Sequence, residues 1–140
     1  MQKGVLDTST VILLERLENA SALPAQPVIT TVTLAELAVG PIVAEDDIVR
    51  GRRQAHLQQA EATFDSLAFD ANAARAFGGV SASLRRSGRK AAARSFDAMI
   101  AATALANDLP LYTCNPDDFA CIDGLEVVAV PVPETRDELG

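Results

Sequence analysis

Histidine is almost absent from this chain: His56 is the only one in 140 residues. That excludes any mechanism needing two imidazoles, and no Ser/His/Asp arrangement finds a convincing base. His56 stands in a polar helical stretch beside Arg52, Arg53 and Gln54 and is expected at the surface. Only two cysteines are present, Cys114 and Cys121, seven apart and without a second pair or a neighbouring His. No zinc site can be built from them, and they are expected as unpaired thiols in a reducing compartment. Tryptophan is missing and the aromatics amount to five Phe and one Tyr, so stacking platforms for single-stranded bases are not evident. No apolar run approaches the roughly 18 residues that span a bilayer. Met1-Gln2-Lys3-Gly4 leads into a strand-like run without the pattern of a secretory leader. A cytoplasmic protein with no membrane partner is the expectation. Gly-rich phosphate loops of the P-loop or dinucleotide type, internal repeats and low-complexity tracts are also lacking.

What is present is a chain that is 49% hydrophobic, enough for one sizeable core and one domain spanning 1–140. The tail 131–140, rich in Pro and acid, is expected to fray. The net charge is −7 but unevenly spread. From Ala71 to Phe96 there is no Asp or Glu, while Arg75, Arg85, Arg86, Arg89, Lys90 and Arg94 make that segment +6. With −7 on the whole chain, −13 is left for the remainder. A basic strip on an acidic body can steer a phosphate backbone locally.

Gly4-Val5-Leu6 reads as a short buried strand stopping at Asp7, after which Ser9 or Thr10 can cap a helix over Val11 to Leu17. Pro27-Val28-Ile29-Thr30 is a second strand, followed after a Thr cap by the helical spacing of Thr33 to Val39, which places Glu36 in an early turn. Glu45 to Phe64 is a long helix with acids at its start. Ser66 to Phe69 is a weak strand or turn, and Asp70 caps a helix running to about Leu84. Ser87-Gly88-Arg89-Lys90 is the clearest loop. Ser95 or Phe96 opens a strongly apolar helix, of the kind usually buried, that ends near Asn107. Strands at 110–113 and 125–130 flank a short turn or helix at Pro116 to Phe119. Short strands alternating with helices predict an α/β three-layer sandwich with a mainly parallel central sheet. Functional groups in such sheets gather beyond the carboxyl ends of the strands, where Asp7 and Asn115 fall.

The most informative feature is a set of lone acids inside apolar runs: Asp7 after Val5-Leu6, Glu36 within Thr33 to Ala38, and Asp97 before Ala98-Met99-Ile100. An ionised carboxylate is costly to bury without a cation or a metal ion beside it. Few basic residues lie near these three. If they converge, each pair at about 4 Å repels by roughly 4 kcal/mol at an effective dielectric near 20. A hard divalent cation resolves that conflict, and all-oxygen ligation suits Mg²⁺ or Mn²⁺ better than zinc or copper. The chemistry open to such a centre is hydrolysis of a phosphodiester. Spacing alone leaves a plain alternative open, since single acids at helix starts are often caps.

Val5-Leu6-Asp7-Thr8-Ser9, Thr33-Leu34-Ala35-Glu36-Leu37, Phe96 to Ala104 and Thr113-Cys114-Asn115-Pro116-Asp117-Asp118-Phe119 together resemble, in order, the motifs of the PIN-domain family, in particular its VapC-type ribonuclease toxins. The resemblance covers residues 3 to about 130. It implies a PIN-like fold and a Mg²⁺-dependent endoribonuclease that cuts structured RNA of the transfer or ribosomal class. It further implies a toxin silenced by a cognate VapB-like antitoxin, as a homodimer or a higher toxin–antitoxin hetero-oligomer. The apolar surfaces of the helices at 11–17 and 33–43 are the candidate docking faces. Asp7, Glu36 and Asp97 match the acidic metal-site positions. Thr8 and Ser9 stand where hydroxyls support the first acid, and Thr113 and Asn115 match the polar pair of the last motif. The fourth acid falls among Asn115, Asp117 and Asp118, with Asp118 favoured. Cys114 replaces a residue that is often Arg in relatives. The basic residues Arg85, Arg86, Arg89, Lys90 and Arg94 are expected to hold the RNA backbone without reading its sequence, which fits recognition of folded RNA by shape.

Two other classes start with an acid after the first strand. A haloacid-dehalogenase-type phosphatase needs a second Asp two residues on, where Ser9 stands. A response-regulator receiver wants an adjacent acidic pair near its N-terminus and a late Lys, and this chain has no Lys after Lys90. The remaining rival is a PIN-like fold serving as a non-catalytic RNA- or protein-binding module, against which retention of the three core acids argues.

Overall fold

The structure, a computed structural model, describes residues 2–17, 20–89 and 94–132. Lys90 of the basic strip, and the tail from residue 133 on, lie outside the described residues. Five short strands form one parallel sheet: β1 (Lys3–Leu6), β2 (Gln26–Thr30), β3 (Ser66–Leu67), β4 (Leu111–Thr113) and β5 (Val127–Ala129), in the order β3-β2-β1-β4-β5. The sheet is thus parallel throughout. Val5 lies opposite Val28 on one side and Leu111 on the other, so β1 takes the centre of the sheet.

Strand side chains alternate between faces, and here both faces are covered. Val5, Val28 and Leu111 point into one core with Val80, Leu84, Ile100 and Ala101. Their neighbours Leu6, Ile29 and Tyr112 point into a second core with Val11, Leu37 and Ala60. The first core lies under α4 (Ala71–Arg86) and α5 (Ser95–Ala106), which pack on each other. The second lies under α1 (Thr8–Leu13), α2 (Thr31–Ile42) and α3 (Asp47–Thr63). Helix α2 reaches both, through Val32 to the first and Leu37 to the second. Three layers result. No helix among the described residues is long and apolar enough to cross a membrane.

Capping sets the helix starts. Thr30, Asp46 and Asp70 each accept a hydrogen bond from the backbone N–H three residues on, satisfying one of the orphan donors of a first turn. The first helix departs from its expectation. It begins at Thr8 rather than Val11, is capped by Asp7 rather than Ser9 or Thr10, and tightens into a 3-10 turn at Leu14–Arg16. Helix α4 ends in a Schellman turn: Gly88 adopts φ +82°, the Arg89 N–H donates to the Leu84 carbonyl at 3.0 Å and that of Gly88 to Arg85 at 3.0 Å. The last strand is shorter than expected, because Leu125 still belongs to the turn around Gly124 and donates back to Ile122. His56 also departs from expectation. It is half-buried, because Arg53, His56, Leu57 and Ala60 share the face of α3 that lies on α2.

Candidate active site

The sheet order reverses between β1 and β4, and the residues that leave these two strands meet at their carboxyl ends. The Asp7 N–H closes the ladder on the Tyr112 carbonyl at 3.2 Å. Asp7 is 4% exposed and has four hydrogen bonds. Oδ1 accepts from the Thr10 N–H at 3.1 Å and the Thr10 hydroxyl at 2.6 Å; Oδ2 accepts from Ser9 at 3.0 Å and Thr113 at 2.8 Å. Each donor is fixed in turn. Thr10 Oγ1 accepts from the Cys114 N–H at 3.1 Å, Thr113 Oγ1 from the Asn115 N–H at 2.9 Å, and Ser9 Oγ from Asn115 Nδ2 at 3.1 Å. A buried carboxylate with this many donors has its desolvation offset by hydroxyls and amides. The expectation that only a basic residue or a metal could compensate it is therefore corrected. Cys114 lies beside this network as a free thiol; burial, and secondarily the Asp7 charge, push it up against the lowering effect of Thr10.

Thr8 does not support Asp7, as the sequence leads one to expect. Its hydroxyl donates to Glu36 Oε1 at 2.6 Å and lies 3.0 Å from Thr33 Oγ1. Glu36 hangs from the second turn of α2, and burial raises its carboxyl; the Thr8 bond opposes that, and Asp7 adds to it. Asp97, in the first turn of α5, is pushed up to about 6, foremost by burial and then by the charges of Glu36, Asp7 and Asp118, with Arg94 pulling the other way. Asp97 thus feels three other acids from three other parts of the chain, and one of these, Asp7, acts on Glu36 as well. Asp118 belongs to the 3-10 turn Pro116–Asp118 after β4 and pairs with Arg94 Nη1 at 2.9 Å and Arg89 Nη1 at 3.8 Å. Asp117 points to solvent.

Not every expected residue joins this pocket. Arg86 pairs with Asp123 at 2.5 Å, and Arg89 and Arg94 with Asp118. Much of the basic strip is therefore already neutralised. Arg85 is exposed and no described acid pairs with it. Two supporting hydroxyls escaped the sequence reading, Thr10 and Thr33. The first was legible in principle, since it stands three residues after a capping Asp; the second faces Thr8 only once α1 and α2 pack. A crevice of about 180 Å³ opens from Thr8 and Glu36 along Ile12, Leu37, Gly40, Arg53 and His56. It touches the edge of the acid pocket, and neither Asp7 nor Asp97 lines it.

The candidate donors are all carboxylate oxygens, which suit a hard divalent ion better than zinc. Among the described residues no group of three or more His, Cys, Asp or Glu side chains is drawn together tightly enough to hold an ion as it stands. A hard ion that retains several waters needs only one or two direct carboxylates, so an acid set spread around a pocket fits it.

Fold and pocket define a three-layer α/β protein with an anionic site at the switch point of a parallel sheet. The chain belongs to the PIN domain family, whose model matches residues 5–125. It is 39% identical over 129 residues to Ribonuclease VapC5 of Mycobacterium tuberculosis, covering 91% of this chain and 93% of that protein. A Ribonuclease VapC of Rickettsia bellii is 29% identical over 133 residues, covering 93% of this chain and 98% of the relative. The crystal structure of VapBC-5 from M. tuberculosis, a member of the VapBC family of toxin–antitoxin systems, superimposes with a TM-score of 0.79 at 38% identity, covering 93% of this chain and 100% of the matched chain.

Proposed function

We propose that this chain is the ribonuclease toxin of a type II toxin–antitoxin module, a Mg²⁺-dependent endoribonuclease acting on structured RNA in the cytoplasm. The observation that carries the reading is the pocket in which Asp97 is pushed up to about 6 by burial and by Glu36, Asp7 and Asp118. Anions confined in this way are relieved by a divalent cation. Relatives that bear the name Ribonuclease VapC support the activity. Asp7, Glu36 and Asp97 are the residues that would hold a Mg²⁺, which when bound would supply an activated water for attack on phosphorus and offset charge on the reacting oxygens.

The chain's own residues do the rest. Thr10, Ser9 and Thr113 lock Asp7 in one orientation, Thr8 locks Glu36, and the charges of both act on Asp97 at the start of α5. Pre-set geometry of this kind lowers the reorganisation needed at the moment of reaction. The test is cleavage of purified transfer and ribosomal RNA by the chain with Mg²⁺, with EDTA, and as D97N. Cleavage that needs the ion and is lost in D97N is expected; equal cleavage with EDTA would contradict the reading.

A VapB-like antitoxin is the proposed partner, since solved relatives include VapBC toxin–antitoxin complexes. The crevice at Ile12, Leu37, Arg53 and His56, together with exposed Val39, Ile42 and Val43, offers an apolar face on α1 and α2 that reaches Glu36. The non-catalytic reading draws on one observation, that no tight acid trio is drawn together among the described residues. It predicts RNA binding without cleavage, so the same assay separates the two.

A further inference from the structure

Two guanidinium groups, those of Arg89 and Arg94, stand against the acids among the described residues, and Arg94 is the one that acts on Asp97. Of the charges acting on Asp97, those of Glu36, Asp7 and Asp118 raise its carboxyl and that of Arg94 lowers it. Arg94 Nη1 lies 2.9 Å from Asp118 Oδ1 and 3.9 Å from Asp97 Oδ2. The near contact is an ion pair at contact distance and the far one only a Coulombic neighbour. Asp118 is thus the group that aims this arginine, and Asp97 is the group it faces. Arg89 Nη1 approaches the same Asp118 oxygen at 3.8 Å. Two guanidinium charges set against one carboxylate leave this corner with a surplus positive charge next to Asp97.

The placement has a reason in the chain. Arg94 occupies the cap position of α5, one turn before Asp97; a guanidinium has donors only and cannot accept from the helix N–H groups, so it turns to the acids instead. Residues three apart on a helix share a side. The Schellman turn at Gly88 sends Arg89 back toward the sheet edge. Both arginines are about two-thirds buried, with side chains 31% and 30% exposed. A guanidinium presents five N–H donors in a planar fork that matches a phosphate. The described ion pairs of Arg94 use Nη1 alone, which leaves most of the fork for a ligand.

We propose that Arg94, aimed by Asp118, is the residue that grips the scissile phosphate, and that without RNA it stands as the counterion of Asp97 and competes there with the divalent ion. Asp118 is then a positioning residue, acting through Arg94. The inference rests on the metal-dependent nuclease reading above. It separates Arg94 from the rest of the basic strip: exposed Arg85 contributes affinity, and Arg94 contributes to the reaction itself. A cation that is held by one acid and merely close to another can stay in place when a metal takes the second, already charged and already oriented.

The experiment uses the purified chain and the variants R94Q, R94K, D118N and D97N, all checked for folding by thermal melts. Mn²⁺ binding without RNA is read by titration calorimetry, and kcat and KM are read on a folded RNA. R94Q is expected to bind Mn²⁺ about two- to fivefold more tightly, the worth of removing one partly exposed ion-pair partner. Its kcat should fall about 100-fold, the usual cost of losing a donor to transition-state charge, with a smaller change in KM. R94K keeps the charge and returns Mn²⁺ affinity to that of the parent, but a point charge restores only part of kcat. D118N lowers kcat in the same direction as R94Q. Mn²⁺ affinity in R94Q that is unchanged or weaker, or a loss confined to KM, overturns the proposal. D97N binding Mn²⁺ as well as the parent overturns the metal reading beneath it; loss in D97N with no gain in R94Q overturns only the role of Arg94.

Discussion

The two halves of the acid pocket solve the same problem by different means. Around Asp7 the carboxylate is 4% exposed and is met by hydroxyls and a backbone amide. Around Asp97 the side chain is 35% exposed and is met by a guanidinium at 3.9 Å. A hydrogen-bonded acid at the centre of the fold is also a structural element, capping α1 and tying β1 to β4. An acid at the rim with only charges around it is a burden to the fold. Two acids of one site therefore need not contribute alike to stability.

The largest effect is expected on cleavage. D7N and D97N should each lose about 100- to 1,000-fold in kcat, the scale of a missing electrostatic contact to the transition state, measured on one RNA at saturating Mg²⁺. The comparison sharpens in their melts. D7N replaces an acceptor of four hydrogen bonds and should destabilise by about 1–3 kcal/mol, whereas D97N should melt at or above the parent at pH 7. Equal melts for the two would break the contrast.

The pH dependence carries the next effect. The Asp97 carboxyl titrates near 6 in the folded chain against an ordinary 3.8, so the folded state holds this proton more tightly than the unfolded one. Its contribution to the metal-free chain is therefore present at low pH and lost as pH rises from about 4 to about 6. D97N lacks that loss, and the gap between its melting temperature and the parent's should widen over the same window. T8V should act on the Glu36 side, removing the bond that opposes its upward shift and moving the acid limb of the activity profile to higher pH. The smallest effect falls on stability alone. G88A forces a side chain into φ +82° and should destabilise by about 1 kcal/mol, read in the melt.

Much of this fold is legible in the sequence. Val5-Leu6, Val28-Ile29 and Leu111-Tyr112 are short apolar runs that can bury both faces of a strand, and the Thr and Asp residues before α2, α3 and α4 announce their caps. The three core acids stand out because each interrupts such a run. What is not legible is which hydroxyl serves which acid. Neighbouring helical residues point about 100° apart, so Thr8 beside Asp7 turns to Glu36 on another helix while Thr10, three residues on, turns back to the cap. Nor does a basic run show how many of its charges are already paired. Arg86, Arg89 and Arg94 find Asp123 and Asp118 only when the β4 edge folds beside them. His56 reads as polar surface from its neighbours, yet its position on the α2-facing side of α3 decides its burial.

The central claim is that Asp7, Glu36 and Asp97 share one divalent ion. Anomalous scattering from a crystal of the chain soaked in Mn²⁺ tests it directly. A single strong peak among these three carboxylates is expected, absent in a D97N crystal soaked alike. A peak elsewhere on the molecule, or one that persists unchanged in D97N, would contradict it.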